Sequence, residues 1–368
     1  MTDAGSQDIA LPPGARIGIL GSGQLGRMLA LAAAPLGLRT HVYCPSTGPA
    51  FDVCVEGTTA KYEDRATLAE FAKTVDVVTY EFENIPVETV SFLSQFTKVR
   101  PGPRALEVSQ DRLLEKTFMR DLGIAVADFH PVDSTDDLSQ ALEVFSGSGV
   151  LKTRRFGYDG KGQIMIRPGS TLTPLAALAD LGNVPLILER LIPFEKEVSV
   201  IGVRSANGEI ACFDLAENVH ENHILKTSTV PADAPQEIAE EAKAVATKIL
   251  TELDYIGAIG VEFFLLEQGA ETRLLVNEIA PRVHNSGHYT MDACATSQFE
   301  QHIRAIVGWP LGNTARHSDV VMTNLLGTEI HNWFEHVSDQ TAHFHDYAKR
   351  EAREGRKMGH VNHLKGKA

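Results

Sequence analysis

Cysteine is scarce in this chain. Its 368 residues include four, Cys44, Cys54, Cys212 and Cys294, with no Cys-x-x-Cys pair among them. Such scatter excludes a zinc ribbon or a disulfide framework and fits a reducing, cytoplasmic setting. Basic residues are outnumbered, 34 Lys and Arg against 48 Asp and Glu, for a net charge of -14. Sequence-independent nucleic-acid binding draws its affinity from many cation–phosphate contacts, so no nucleic-acid partner is expected. Long apolar runs are missing as well, and the first eight residues show no basic region leading into an apolar stretch. Neither secretion nor a membrane partner is expected. Residues 1–14, ending at Pro12-Pro13-Gly14, read as a disordered leader. Histidine is plentiful, but its spacing is irregular, and only His220 and His284 are singled out.

The length allows a large core and two or three domains. Arg16-Ile17-Gly18-Ile19-Leu20 is a short apolar strand, followed by Gly21-Ser22-Gly23-Gln24-Leu25-Gly26 and a helical run to Leu36. Strand patterns at 40–43 and 75–80, with helical periodicity over 65–73, predict a parallel α/β domain. The glycine pattern matches the dinucleotide fingerprint, a tight turn that brings backbone amides to a phosphate. The second strand, however, ends in Cys44-Pro45-Ser46 and not in a ribose-binding acid, which weighs against NAD and leaves a single phosphate or ribose phosphate open. Glu81 stands just past the third strand, where such sheets place ligand contacts; alone it reads equally well as a solvated loop acid.

Val99-Arg100-Pro101-Gly102-Pro103-Arg104 punctuates the chain, and a charged helix over about 109–122 carries Arg112. Gly149-Val150-Leu151-Lys152 then leads into a glycine-rich hairpin over 156–163, whose amides and Lys152 suit phosphate oxygens and which would close as a lid. Alone it is an ordinary surface hairpin. An apolar strand ends at Glu189-Arg190-Leu191-Ile192, and another begins near Glu197, so the connector can offer backbone groups to a flat base. Residues 235–253 have the spacing of an amphipathic helix.

The densest chemistry lies in Asn277-Glu278-Ile279-Ala280-Pro281-Arg282-Val283-His284-Asn285-Ser286-Gly287-His288. Strands over 260–265 and 274–278, joined by a turn centred on Gly269-Ala270, place Glu262 across from Asn277 or Glu278. Opposed carboxylates repel unless a cation or a proton intervenes. Two carboxylates and an amide suit magnesium, which usually sits between protein carboxylates and substrate phosphates, so a nucleotide is expected. Two basic clusters stand out against the acidic background, at 152–155 and 349–357; the second alone reads as a solvated charge run.

Together and in this order, Gly21 to Met28, Glu81 to Pro86, Phe156 to Gln163, Glu217 to Asn222, Asn277 to His288 and Gly355 to His360 resemble the 5-(carboxyamino)imidazole ribonucleotide synthetase family of ATP-grasp ligases. The resemblance runs from about Arg16 to His360. It implies an α/β fold, α+β in the ATP-grasp part: a Rossmann-like pre-ATP-grasp domain over 15–108, then a two-lobed ATP-grasp fold with its small lobe at 109–192 and its large lobe at 193–368. The implied reaction joins bicarbonate to 5-aminoimidazole ribonucleotide, with ATP as co-substrate, through carboxyphosphate. ATP would be bound by Arg112, Lys152, Gly157, Tyr158, Asp159, Gly160, Lys161, Gly162, Gln163, Glu189, Arg190, Leu191, Ile192, Glu197, His220, Asn277 and Glu278. Glu262, Glu278 and Asn277 would hold Mg2+, with Mn2+ as a substitute. Gln24, Leu25, Glu81, Asn285, Lys349, Arg356 and Lys357 would bind the ribonucleotide. Arg282, His284, Tyr158 and Asp159 would act on bicarbonate and the acyl phosphate, unless His284 caps its loop. A homodimer is implied by the family alone. The alternatives are a formate-dependent glycinamide ribonucleotide transformylase, an NAD-dependent oxidoreductase, and a non-catalytic nucleotide-binding regulator.

Overall fold

The computed structural model describes residues 10–157, 160–268 and 271–366. The expected parallel domain is present: five parallel strands lie in the spatial order Glu56–Thr59, Arg39–Cys44, Arg16–Leu20, Val77–Tyr80 and Lys98–Val99. Val77–Tyr80 is buried along its whole length and Arg16–Leu20 nearly so, as strands covered on both faces must be. The helix Arg65–Lys73 starts where Asp64 accepts the Thr67 N–H at 3.1 Å.

The charged helix expected over about 109–122 is Arg112–Asp121, and a separate short helix precedes it within the segment read as punctuation. Pro103–Ser109 ends before Asp111, whose carboxylate caps Arg112–Asp121 by accepting the Leu113 N–H at 3.0 Å. Arg154 clamps that cap from across the chain, with Nε 2.9 Å from Oδ1 and a terminal nitrogen 2.7 Å from Oδ2. The capped helix buries Glu115, Lys116 and Met119, so two charged residues lie on its inner face.

A second sheet, antiparallel, runs in the order Phe129–Val132, Leu186–Glu189, Gly149–Thr153 and Gln163–Ile166. A third follows the path Glu271–Ala280, Gly257–Gln268, Lys196–Arg204, Ala216–Glu221, Ile224–Val230, Asp319–Leu326, Lys357–Lys365 and Ala342–Asp346, with Ile210–Cys212 beside Lys196–Arg204. The amphipathic helix is Gln236–Glu252; its buried face of Ile238, Ala242, Ala246, Ile249 and Leu250 shares a core with the strands on either side of Glu262. The end of the chain adds strands to this same sheet, because Asp319–Leu326 pairs with Ile224–Val230. His302 joins the first sheet to the third: its ring Nδ1 accepts the Ala258 N–H at 3.0 Å and its Nε2 lies 2.8 Å from Thr79 Oγ1.

The leader expected over 1–14 needs correction in its described part. The Leu11 N–H donates to Val307 O at 2.9 Å, the Trp309 indole N–H donates to Leu11 O at 2.7 Å, and the Leu11 side chain packs on the core, so residues 10–14 are fixed in place. Residues 1–9 and the turn residues Gly269 and Ala270 lie outside the described residues.

Candidate active site

The paired strands Gly257–Gln268 and Glu271–Ala280 bring Glu262 opposite Glu278, as alternation predicts. A bulge beside this rung then pairs Phe263 with Val276 and leaves Asn277 without a partner residue. A bulge re-aims a side chain, and the Asn277 Oδ1 is buried with no hydrogen-bond partner, next to the two carboxylates. A buried amide oxygen without a donor is costly in a folded protein, and a hard cation is the partner it fits. Glu262, Asn277 and Glu278 thus suit magnesium. Among the described residues, no group of three or more His, Cys, Asp or Glu side chains is placed to hold a metal alone, as expected where substrate phosphates complete the coordination.

Hydrogen-bond donors already face this acidic rung. Arg112 holds Glu278 at 2.9 Å, and His284 Nε2 donates to Glu262 Oε1 at 2.8 Å. Burial pushes the Glu262 carboxyl up, but the hydrogen bond from His284, with His220 and Lys357 nearby, brings it below the usual carboxylate range. Opposite lies Lys152, whose ammonium burial pulls below its usual value and whose Nζ donates to Glu189 Oε2 at 2.9 Å. Glu189 is buried too, yet Lys116 and Lys152 keep it at about 2. Lys116 itself donates to the Asn277 carbonyl at 2.6 Å, tying the bulge to the helix beneath it. Its neighbour Glu115 accepts the Ile279 N–H at 2.7 Å, and burial together with Glu278 pushes that carboxyl up to about 8.

Apart from Lys116, these side chains face one cleft of about 620 Å³ between the small antiparallel sheet and the large one. Arg112, Lys152, Gly157, Gly160, Lys161, Gln163, Glu189 to Ile192, Glu197 and His220 line it, together with Glu262, Asn277, Glu278, Arg282 and His284. At its apolar end Phe264 stacks on Phe194 with ring centroids 4.6 Å apart. His220 faces Glu197, which raises the imidazole's pKa although burial opposes it. Gly162 lies behind the loop wall, packed on Thr153, and Tyr158 and Asp159 lie outside the described residues.

Gln24, Leu25, Glu81, Asn285 and Lys357 continue the cleft toward the parallel domain. Lys349 and Arg356 stand behind this lining: Lys349 donates to Lys357 O at 2.5 Å while its charge acts on Glu81, and Arg356 donates to Glu351 O at 3.0 Å. Glu81 is buried, and its carboxylate accepts the N–H groups of Gly23 and, at 2.7 Å, Gly26. Burial raises its pKa against those two amides. The glycine loop is therefore shaped around this side chain: a Cβ on Gly21 would stand 2.4 Å from Glu81 Cγ, and one on Gly23 2.8 Å from Glu81 Oε1. A pyrophosphate has no cradle left there, which removes the physical basis for an NAD site.

Sequence reasoning missed Lys116, Glu115 and Glu83. Arg282 donates to both Glu83 carboxylate oxygens through the Nε edge of its guanidinium, with one contact at 3.1 Å; burial pushes the Glu83 carboxyl up, but Arg282 brings it down to about 2. The signal for Glu115 and Lys116 was present, because they share a helical face with Arg112 at i+3 and i+4.

Fold and cleft together define an ATP-grasp protein. A model of the ATP-grasp domain matches residues 117–299, one of the ribonucleotide synthetase preATP-grasp domain matches 15–110, and one of the phosphoribosylaminoimidazole carboxylase C-terminal domain matches 320–368. The chain is 51% identical over 357 residues to an N5-carboxyaminoimidazole ribonucleotide synthase of Brucella melitensis, covering 97% of this chain and 98% of that one. It is 43% identical to the Bacillus subtilis synthase, covering 96% and 92%. Among solved structures, an ADP complex of N5-carboxyaminoimidazole ribonucleotide synthetase superposes with a TM-score of 0.92 at 42% identity, covering 97% and 94%. The Aspergillus clavatus synthase in complex with ADP and 5-aminoimidazole ribonucleotide superposes with a TM-score of 0.88 at 30% identity, covering 96% and 94%. The chain belongs to the N5-carboxyaminoimidazole ribonucleotide synthase family of ATP-grasp ligases.

Proposed function

We propose that this chain joins bicarbonate to 5-aminoimidazole ribonucleotide with cleavage of ATP, giving N5-carboxyaminoimidazole ribonucleotide, ADP and phosphate in purine biosynthesis. The observation that carries this reading is the rung of Glu262, Asn277 and Glu278 facing Lys152 across a cleft that continues to the Glu81 loop. Magnesium held by that rung supplies positive charge beside the polyphosphate. Lys152 and Arg112 add fixed cations in a buried setting, where charges act strongly. Glu189 to Ile192 and the Phe194–Phe264 pair frame the base.

Bicarbonate oxygen attacks the γ-phosphorus, the bond to ADP breaks, and carboxyphosphate remains. Arg282, held in place by Glu83, faces the newly formed anion. The exocyclic amine of the ribonucleotide then bonds to the carboxyl carbon, of carboxyphosphate or of carbon dioxide released from it in the cleft, as the carbon's bond to the phosphate oxygen breaks and the phosphate leaves with the amine's proton. Glu81, Gln24, Leu25, Asn285 and Lys357 position that acceptor. Tyr158 and Asp159, on the glycine loop, belong to the proposal through the family resemblance, as do a homodimer and a cytoplasmic location. No helix among the described residues is long and apolar enough to cross a membrane.

The test is phosphate release from Mg-ATP and bicarbonate with and without 5-aminoimidazole ribonucleotide. Stimulation by that ribonucleotide is the expected outcome. Stimulation only by glycinamide ribonucleotide plus formate would move the assignment to the transformylase, and silence in both would leave a binding protein.

A further inference from the structure

A buried line of hydrogen bonds runs across the large sheet beneath the cleft and has no part in the reaction above. Ser228 Oγ donates to Asn218 Oδ1 at 2.7 Å, Asn218 Nδ2 donates to Ser199 Oγ at 2.9 Å, and Ser199 Oγ donates to Ser286 Oγ at 2.7 Å. Ser286 Oγ then meets His284 Nδ1 at 2.9 Å. Ser228, Ser199 and Ser286 are at most 1% exposed and Asn218 is 7% exposed, so water does not compete for these groups. The line ends at Glu262. His284 Nε2 reaches Glu262 Oε1 at 2.8 Å, and Glu262 is the residue directly across from Ser199 on the adjacent strand.

The line has one polarity. The Ser286 backbone N–H also points at His284 Nδ1, at 3.4 Å, and a backbone N–H can only donate. Nδ1 must therefore present a lone pair. At the other edge of the ring the Glu262 carboxylate can only accept, so Nε2 must carry the hydrogen. The Asn218 amide sets the same direction from the far end, because its nitrogen donates to Ser199 and leaves that hydroxyl to donate onward. The backbone that carries the imidazole is also clamped. Gln298 Oε1 accepts the His284 N–H at 2.9 Å, and Gln298 Nε2 donates to His284 O at 2.7 Å. The ring lies against Gly260, where a Cβ would stand 2.7 Å from His284 Cβ.

We infer that Ser286, Ser199 and Asn218 are positioning residues that hold His284 with its hydrogen on Nε2, so that His284 acts through Glu262 and not on bicarbonate. Both ring nitrogens are engaged, which leaves neither to meet a substrate. One oxygen of Glu262 is thereby fixed by the imidazole, and the other would serve a bound cation. Outer hydrogen bonds of this kind orient metal-ligating groups and commonly govern metal affinity. The cation part of the inference rests on the proposed function; the direction of the hydrogen bonds does not.

The direct test is a long-range proton–nitrogen correlation spectrum of the full chain labelled with nitrogen-15 histidine, free of metal and near neutral pH, with H284Q used to identify the signal. A protonated Nε2 with a bare Nδ1 is expected. A hydrogen on Nδ1, or on both nitrogens, would overturn the inference, and this reading needs only the wild-type protein. Ser286→Ala and Ser199→Ala should give a mixture of the two tautomers. They should also weaken Mg-ADP binding, measured by calorimetry, on the order of 10-fold, with affinity for ADP alone unchanged. Their KM for bicarbonate should stay at the wild-type value. Unchanged Mg-ADP affinity, or a raised bicarbonate KM, would sink the idea that His284 serves Glu262. A wild-type chain with no ribonucleotide-stimulated phosphate release would instead count against the proposed function, while the spectrum would still decide the tautomer.

Discussion

At Glu278 three interactions meet: a 2.9 Å pair with Arg112, the rung shared with Glu262, and a share, after burial, in raising Glu115 to about 8. Replacing the carboxylate with the isosteric amide keeps the shape and removes the charge on which the cation depends. Glu278→Gln should therefore lower phosphate release by on the order of 100-fold, with the far-UV circular dichroism of the wild type retained. A variant with near-normal turnover would mean that the rung does not hold the metal. This rung was legible in the sequence, because period-two alternation fixes which residues face each other on paired strands. The bulge was not, since only the tertiary ladder decides where an extra residue is tolerated. Glu83 went unseen for a related reason: its partner Arg282 lies 199 residues further along the chain, and no local pattern reports such a pairing.

Among elements, the helix Arg112–Asp121 has the most unusual face. Strands and helices with a plain apolar stripe were read from periodicity, as with Arg65–Lys73 and Gln236–Glu252. Here the buried positions are Glu115, Lys116 and Met119, so the stripe reads as charge and apolar periodicity does not reveal the inner face. Lys116 is 1% exposed and joins the Asn277 carbonyl to Glu189. Lys116→Met keeps much of the bulk and removes the donor. It should destabilise the chain by about 1–3 kcal/mol, the cost of a buried acceptor left without a donor, in urea titration. Loss of its hold on the bulge should also raise the KM for ATP by on the order of 10-fold. Wild-type values for both would reduce the lysine to a spectator.

The whole molecule depends on contacts between sheets that sequence patterns cannot show. His302, wholly buried between the parallel sheet and the large one, is held down to about 3 by burial from an ordinary value of 6.5. Protonation would deprive the Ala258 N–H of its acceptor. The unfolded chain binds this proton more readily than the folded one, so the contribution is whole above 6.5 and is lost as pH falls toward 3. A His302→Gln variant should lose up to about 1.4 kcal/mol per pH unit of acid sensitivity within that window, read from urea unfolding at several pH values. An unchanged slope would place the proton uptake elsewhere. The large sheet has a consequence of its own for anyone dividing this protein. The C-terminal family match begins at residue 320, almost where Asp319–Leu326 begins, and that strand seals the side of Ile224–Val230. Cutting there would not release a module but would bare a seven-residue strand edge beside an unfinished core, the kind of surface on which chains stick to one another. A chain stopped at residue 318 should accumulate as insoluble aggregate, and supplying residues 319–368 as a separate polypeptide during synthesis should bring it back into solution.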